Sequence, residues 1–142
     1  MDTQRWVFIC LHGAAKSIMA AAYCRRLAAE RGAAVEVASG GIEPDPGIPP
    51  TVVAGLLADG IDVRGQAPRR VTREDLAAAT RVIAFGCDLT QMAPPGLPVE
   101  DWADVPPASE DFAGARTAIL SRLEALFEGD RERPNAAAVG LR

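Results

Sequence analysis

The chain has 142 residues, enough for one domain around one core and too few for two of ordinary size. Hydrophobic residues make up 49% of it, but no apolar run approaches the ~18 residues of a membrane span. The opening MDTQRW has none of the features of a secretory signal, so a cytoplasmic protein without a membrane partner is expected. A formal net charge of -4, with arginines scattered and not interleaved with aromatics, argues against nucleic acid as a partner. Three well-separated cysteines, Cys10, Cys24 and Cys87, fit neither a disulfide framework nor a zinc cluster, and no metal or cofactor is implied.

Trp6 to Cys10 is short, β-rich and almost wholly apolar, the pattern of a central parallel strand buried on both faces. A helix is predicted from Ser17 to Glu30, because Met19, Tyr23 and Leu27 recur every fourth residue and Arg31-Gly32 is a stop signal. AVEVASGG alternates as a second strand and breaks at Gly40 and Gly41. After the proline-rich loop EPDPGIPP, Pro49 and Pro50 suit the first turn of a helix carrying Val52, Val53, Leu56 and Leu57, which Asp59 and Gly60 end. Thr72 and Asp75 form a capping box for a short helix reaching Ala79. Val82 to Phe85 is a third strand, and a fourth is expected near Val99. Ser109 is placed as the N-cap of a last helix, with Glu110 and Asp111 in its first turn and Phe112, Ala115, Ile119, Leu123 and Leu126 as its apolar stripe. Residues 1–129 are therefore read as the domain and 130–142, which lack periodicity, as a flexible tail. Strands alternating with helices imply a parallel α/β sheet whose ligands bind beyond the carboxyl ends of the strands, where Cys10 lies.

The fifteen basic residues are fourteen arginines and one lysine, Lys16; the one histidine is His12. Both singletons fall in the loop CLHGAAKS. As a nucleotide-binding loop of the form G-x-x-x-x-G-K-[ST] this stretch fails, since Cys10 and Ala15 stand where the two glycines belong. As an anion cradle it uses every residue. Backbone amides from Leu11, His12, Gly13, Ala14, Ala15 and Lys16 would converge on one point at a helix N-terminus, where negative charge is favoured. The same field favours a thiolate nucleophile at Cys10, Ser17 can donate to that sulfur, and Gly13 permits the positive φ that closes the loop. His12 suits a bracing or rim position, while Cys24, Tyr23 and Trp102 are read as core.

The loop resembles that of the low-molecular-weight protein tyrosine phosphatases and the related thioredoxin-coupled arsenate reductases, C-x-x-x-x-x-R-S followed by Met-Ala. CLHGAAKSIMA matches it, and the resemblance continues through ASGGIEPDPGIPPTVVAGLLADGIDV, PRRVTREDL and VEDWADVPPA. It implies a single three-layer α/β domain with a four-stranded parallel sheet and flanking helices. It implies binding of phosphate, sulfate or an arsenate-like oxyanion, and a phosphorylated protein or small phosphoester as substrate, phosphotyrosine included. Catalysis would run through Cys10, Lys16 and Ser17. An arsenate reductase using Cys10, with Cys87 as the redox partner, is one alternative; an inactive member that only binds an oxyanion or a phosphorylated partner is another.

Two departures bear on the chemistry. Lys16 replaces the family's loop arginine, and an ammonium lacks the rigid two-pronged grip of a guanidinium on phosphoryl oxygens. The family's general acid, an aspartate in an Asp-Pro pair after the region of Trp102, is replaced by Pro106 before Pro107. Asp104, two residues upstream, and Asp45 of the Asp45-Pro46 pair are the candidate substitutes. Weakened activity is expected.

Overall fold

Strand β1 (Gln4–Cys10) is the centre of the molecule: Trp6, Val7, Phe8 and Ile9 are fully buried, as a strand covered on both faces requires. The computed structural model describes residues 3–139, with side chains described as far as residue 129. Along the chain follow α1 (Lys16–Arg31), β2 (Val35–Gly41), α2 (Pro50–Ala58), α3 (Arg73–Ala78), β3 (Arg81–Ala84), β4 (Val99–Asp101) and α4 (Phe112–Val139). The four strands form one parallel sheet in the order β2-β1-β3-β4. Side chains alternate across it. Trp6 and Phe8 join the residues of α1, α2 and α4 in one cluster, while Val7, Ile9, Val82 and Ala84 meet Leu76 of α3, Val71 and Leu89 on the other face. The result is the expected three-layer α/β domain.

Local sequence accounts for most element ends. Gly32 closes α1 in the left-handed conformation at φ 61, its amide returning to the Ala28 and Ala29 carbonyls. Pro50 opens α2, and the Thr72–Asp75 capping box is present in both directions. The start of α4 differs from expectation. Ser109 does not cap it; Asp111 does, accepting from the Gly114 amide at 2.9 Å, so Glu110 and Asp111 precede the helix. Serine and aspartate are equally good N-caps, and two candidates two residues apart cannot be ranked by propensity. The apolar stripe keeps Ala115, Ile119 and Leu123 fully buried, but Phe127, tilted against Trp6 at 4.9 Å, takes the buried place assigned to Leu126. Helix α4 continues past Gly129, the boundary set from sequence, to Val139; side chains of that extension lie outside the described residues.

A polar cluster ties α1, the end of α2 and α4. Tyr23 donates its hydroxyl to Asp59, whose carboxylate also accepts from Arg116 Nε at 2.7 Å. Burial, then the hydrogen bond and charge of Asp59, push the phenol up to about 12. Arg116 first and Tyr23 second hold the Asp59 carboxyl below its ordinary value. Asp59 thus adds stability above an unfolded value of about 4 that is lost as pH falls through its lowered folded value. Tyr23 contributes stability below about 10 that is lost as pH rises through about 12. Because Tyr23 is the sole tyrosine, its ultraviolet phenolate band is a clean reporter. Titration of the folded protein should give a midpoint near 12, against about 10 in urea; equal midpoints would show that Tyr23 is not held as described.

Candidate active site

The loops that follow all four strands meet at the carboxyl edge of the sheet. They enclose a cavity of about 300 Å³ with contributions from each: Cys10, His12 and Lys16 after β1, Asp45 and Pro49 after β2, Phe85 after β3, and Pro107, Ala108 and Ser109 after β4. At its base sits Cys10, the last residue of β1 and 7% exposed. Its Sγ receives the Gly13 amide at 3.1 Å and lies 3.1 Å from Ser17 Oγ. Ser17 is fully buried, and the sulfur is its hydrogen-bond partner. Among the described residues no side chain caps α1, so its first amides are not claimed by a capping group. Both contacts thus meet at the Cys10 sulfur, beside the N-terminus of α1.

Backbone closeness shapes the loop. Gly13 has φ 61, and a Cβ there would lie 2.7 Å from the Gly41 amide nitrogen; one on Gly41 would lie 2.5 Å from that of Gly13. Gly41, ending β2, is itself pinned: its amide donates to the Arg69 carbonyl at 2.9 Å and its carbonyl accepts from Val71 at 3.0 Å. Beyond it, the Glu43 amide donates to the Leu11 carbonyl (2.8 Å) and the Asp45 amide to that of His12 (3.0 Å). His12 adds a side-chain link, with Nδ1 3.1 Å from the Glu43 carbonyl and 3.4 Å from Asp45 Oδ1. Nothing in the side-chain pattern announces this zipper between two loops, because it is made by backbone groups.

Lys16 reaches across the cavity, donating from Nζ to the Val105 carbonyl at 3.3 Å, with Phe85's ring centroid 5.8 Å away. One of its three ammonium hydrogens serves this contact, leaving the others for an anion. Asp104 is not brought to the site. Its side chain is 74% exposed, engages Arg122 of α4 at 2.6 Å, and is held below the ordinary carboxylate value chiefly by that bond. A proton donor must keep its proton near neutrality, so Asp104 has neither the position nor the chemistry proposed for it from sequence. Asp45 is the carboxylate among the described lining residues. Ser109, read as a helix cap, is instead part of the wall.

Cys87 lies under the same edge, donating toward the Ile9 carbonyl at 3.5 Å, but it lines a neighbouring cavity with Leu89, Ala93 and Leu97. Burial, and secondarily the charge of Cys10, push its thiol up. Cys24 is fully buried in α1 and pushed up to about 12 by burial. Trp102 packs edge-on against Phe85 at 5.7 Å and is core, as expected.

Known proteins resemble this chain in sequence and in fold. Residues 5–97 match the family described as low molecular weight phosphotyrosine protein phosphatase. The chain belongs to that family. A relative named putative arsenate reductase, from Halobacterium salinarum, is 27% identical over 117 residues, 81% of this chain and 82% of that protein. The crystal structure of YfkJ from Bacillus subtilis superposes with a TM-score of 0.83 over 94% of this chain and 98% of that one, at 22% identity, and supports the fold. An arsenate reductase solved in a phosphate-binding state superposes with a TM-score of 0.72 at 25% identity, over 89% and 98% of the two chains. The family is thus cysteine-based and includes both phosphatases and arsenate reductases.

The glycine pair gives a direct test. Gly41→Ala drives a methyl group into the Gly13 backbone, so the loop must shift away from Cys10. Phosphate should then no longer slow alkylation of Cys10, whereas Gly65→Ala, where a Cβ meets nothing within 4 Å, should leave that protection intact. Protection equal in both variants would show that the cradle does not depend on the contact.

Proposed function

We propose that this protein is a cysteine-dependent phosphatase-like hydrolase of phosphate monoesters, working through a Cys10 thiolate with weakened activity. The observation that carries the reading is the environment of Cys10 Sγ: two contacts at 3.1 Å, from Gly13 and Ser17, at the base of a cavity that Lys16 crosses. In this mechanism the sulfur attacks phosphorus, the loop amides and Lys16 hold the non-bridging oxygens, and the ester oxygen leaves. Water then cleaves the phosphocysteine, and Ser17 donates toward the departing sulfur. The substrate range includes small phosphoesters and phosphotyrosine, and free phosphate, sulfate and arsenate compete for the cradle.

A second reading, arsenate reduction, has its own support in Cys87, whose thiol meets the carbonyl of the residue before Cys10. Two observations favour hydrolysis over it. The buried, raised thiol is a poor attacking group near neutrality, and the sequence has no further cysteine in that region to pass a disulfide on. Arsenate-dependent turnover with thioredoxin that vanishes in Cys87→Ser would reverse the order. An inactive oxyanion binder is a weaker reading, since such a protein has no need of a sulfur so placed.

Iodoacetamide labelling at mildly acid pH with peptide mapping tests the site. Cys10 should label first and be protected by phosphate, with Cys24 unlabelled in the folded protein. Uniform labelling of the three cysteines would remove Cys10 from the active site. Lys16→Arg tests the weakening: a planar guanidinium should raise kcat/KM for all esters and tighten vanadate binding, by on the order of tenfold for one further charge-assisted hydrogen bond. A fall in both would mean that the lysine is adapted to a different anion.

A further inference from the structure

The cavity has a nucleophile and a cation, yet the aspartate expected to protonate the leaving group is absent and Asp104 faces Arg122. Among the described lining residues, the ionisable side chains other than Cys10 and Lys16 are His12 and Asp45. Lys16 is engaged by the Val105 carbonyl. His12 and Asp45 are held to one another on a braced support: backbone bonds of 2.8 Å and 3.0 Å join Glu43 to Leu11 and Asp45 to His12. The imidazole is oriented as well. Nδ1 faces the Glu43 carbonyl at 3.1 Å and the Asp45 carboxylate at 3.4 Å, both acceptors, so Nδ1 carries a hydrogen. The nitrogen left to exchange a proton is Nε2, on a side chain that lines the cavity.

From this arrangement we infer that His12 is the proton donor to the leaving group and that Asp45 positions it, the pair taking over from the opposite wall the task of the missing aspartate. The inference rests on the phosphoester reading above. In the first step the Cys10 sulfur bonds to phosphorus, the phosphorus–oxygen ester bond breaks, and the departing oxygen takes the Nε2 proton of the imidazolium. His12 is left neutral, with Nδ1–H on Glu43 and Asp45. In the second step Nε2 takes a proton from the attacking water, the new phosphorus–oxygen bond forms, the phosphorus–sulfur bond breaks and phosphate departs. The thiolate and the imidazolium are restored, so one water is consumed per ester. A carboxylate beside Nδ1 fixes the ring and its tautomer, the part of the orienting residue in a catalytic dyad.

The readout is selectivity for the leaving group, which a merely structural rim residue would not alter. Tyrosine phosphate expels a phenolate of conjugate-acid pKa about 10 and needs a proton, whereas p-nitrophenyl phosphate expels a much better leaving group. His12→Asn keeps a side-chain donor for Glu43 but cannot transfer a proton. Its kcat for tyrosine phosphate should fall ~10² or more, with less than about a tenfold loss on p-nitrophenyl phosphate. Asp45→Asn should give a smaller loss with the same selectivity, and added imidazole should restore tyrosine phosphate turnover in His12→Ala. Cys10 should remain the thiol that alkylates first and that phosphate protects in all three variants, showing the loop still formed. Equal losses on the two esters, no loss, or loss of that labelling order or protection would overturn the pair's role while leaving the hydrolase standing. A wild-type protein that cleaves neither ester, though phosphate still protects Cys10, would overturn the hydrolytic reading and the pair's role together.

Discussion

The contact on which the site depends is between two backbones. Gly13 and Gly41 approach so closely that neither position has room for a Cβ, and the loop after β1 is thereby seated on the end of β2. Gly41 cannot yield, because Arg69 and Val71 hold it from its other side. From that fixed point the loop must turn back at Gly13 with positive φ, which brings the Gly13 amide onto the Cys10 sulfur. The strand end, the helix N-terminus and the neighbouring strand thus share one constraint. Glycine is the residue that takes up this backbone without a steric clash at Cβ.

Lys16 joins this rigid half of the cavity to the segment after β4. Its ammonium meets the Val105 carbonyl, and the same side chain begins α1. An arginine at this place would present a flat fork with a fixed spacing; a lysine swings on a flexible stem and can divide its hydrogens between a carbonyl and an anion. The replacement therefore changes how the two walls are coupled as well as the grip on the oxyanion. Trp102 packs edge-on against Phe85, the lining residue that follows β3.

Much of this was readable from the residues alone. The apolar run ending in Cys10, the fourfold spacing of Met19, Tyr23 and Leu27, and the Thr72–Asp75 box each state a local preference that the fold satisfies. The loop motif singled out Cys10, Lys16 and Ser17, and the structure sets Ser17 against the Cys10 sulfur with Lys16 lining the same cavity as Cys10. What was hidden is non-local. The choice of Asp111 over Ser109 as cap depends on where α4 docks, and the direction of Asp104 depends on Arg122, eighteen positions away on another element. The bonds from Glu43 and Asp45 to Leu11 and His12 are made by amides and carbonyls, which every residue but proline offers alike.

The position of Asp104 decides how the cavity's charge is distributed. With that carboxylate held by Arg122, the described residues that line the cavity after β4 are Pro107, Ala108 and Ser109, none of them ionisable. The opposite wall has His12 and Asp45 on a support that backbone bonds hold to the anion loop itself. A proton donor mounted on the segment after β4 would move with that segment; one mounted on the zipper moves with the nucleophile. Keeping donor and nucleophile on one rigid body preserves their separation, and a shift of about 1 Å between such groups is enough to cost two orders of magnitude in rate. On the phosphoester reading, the absence of the family's aspartate then leaves the sequence with proton chemistry relocated to the part of the cavity that the glycine pair already holds still.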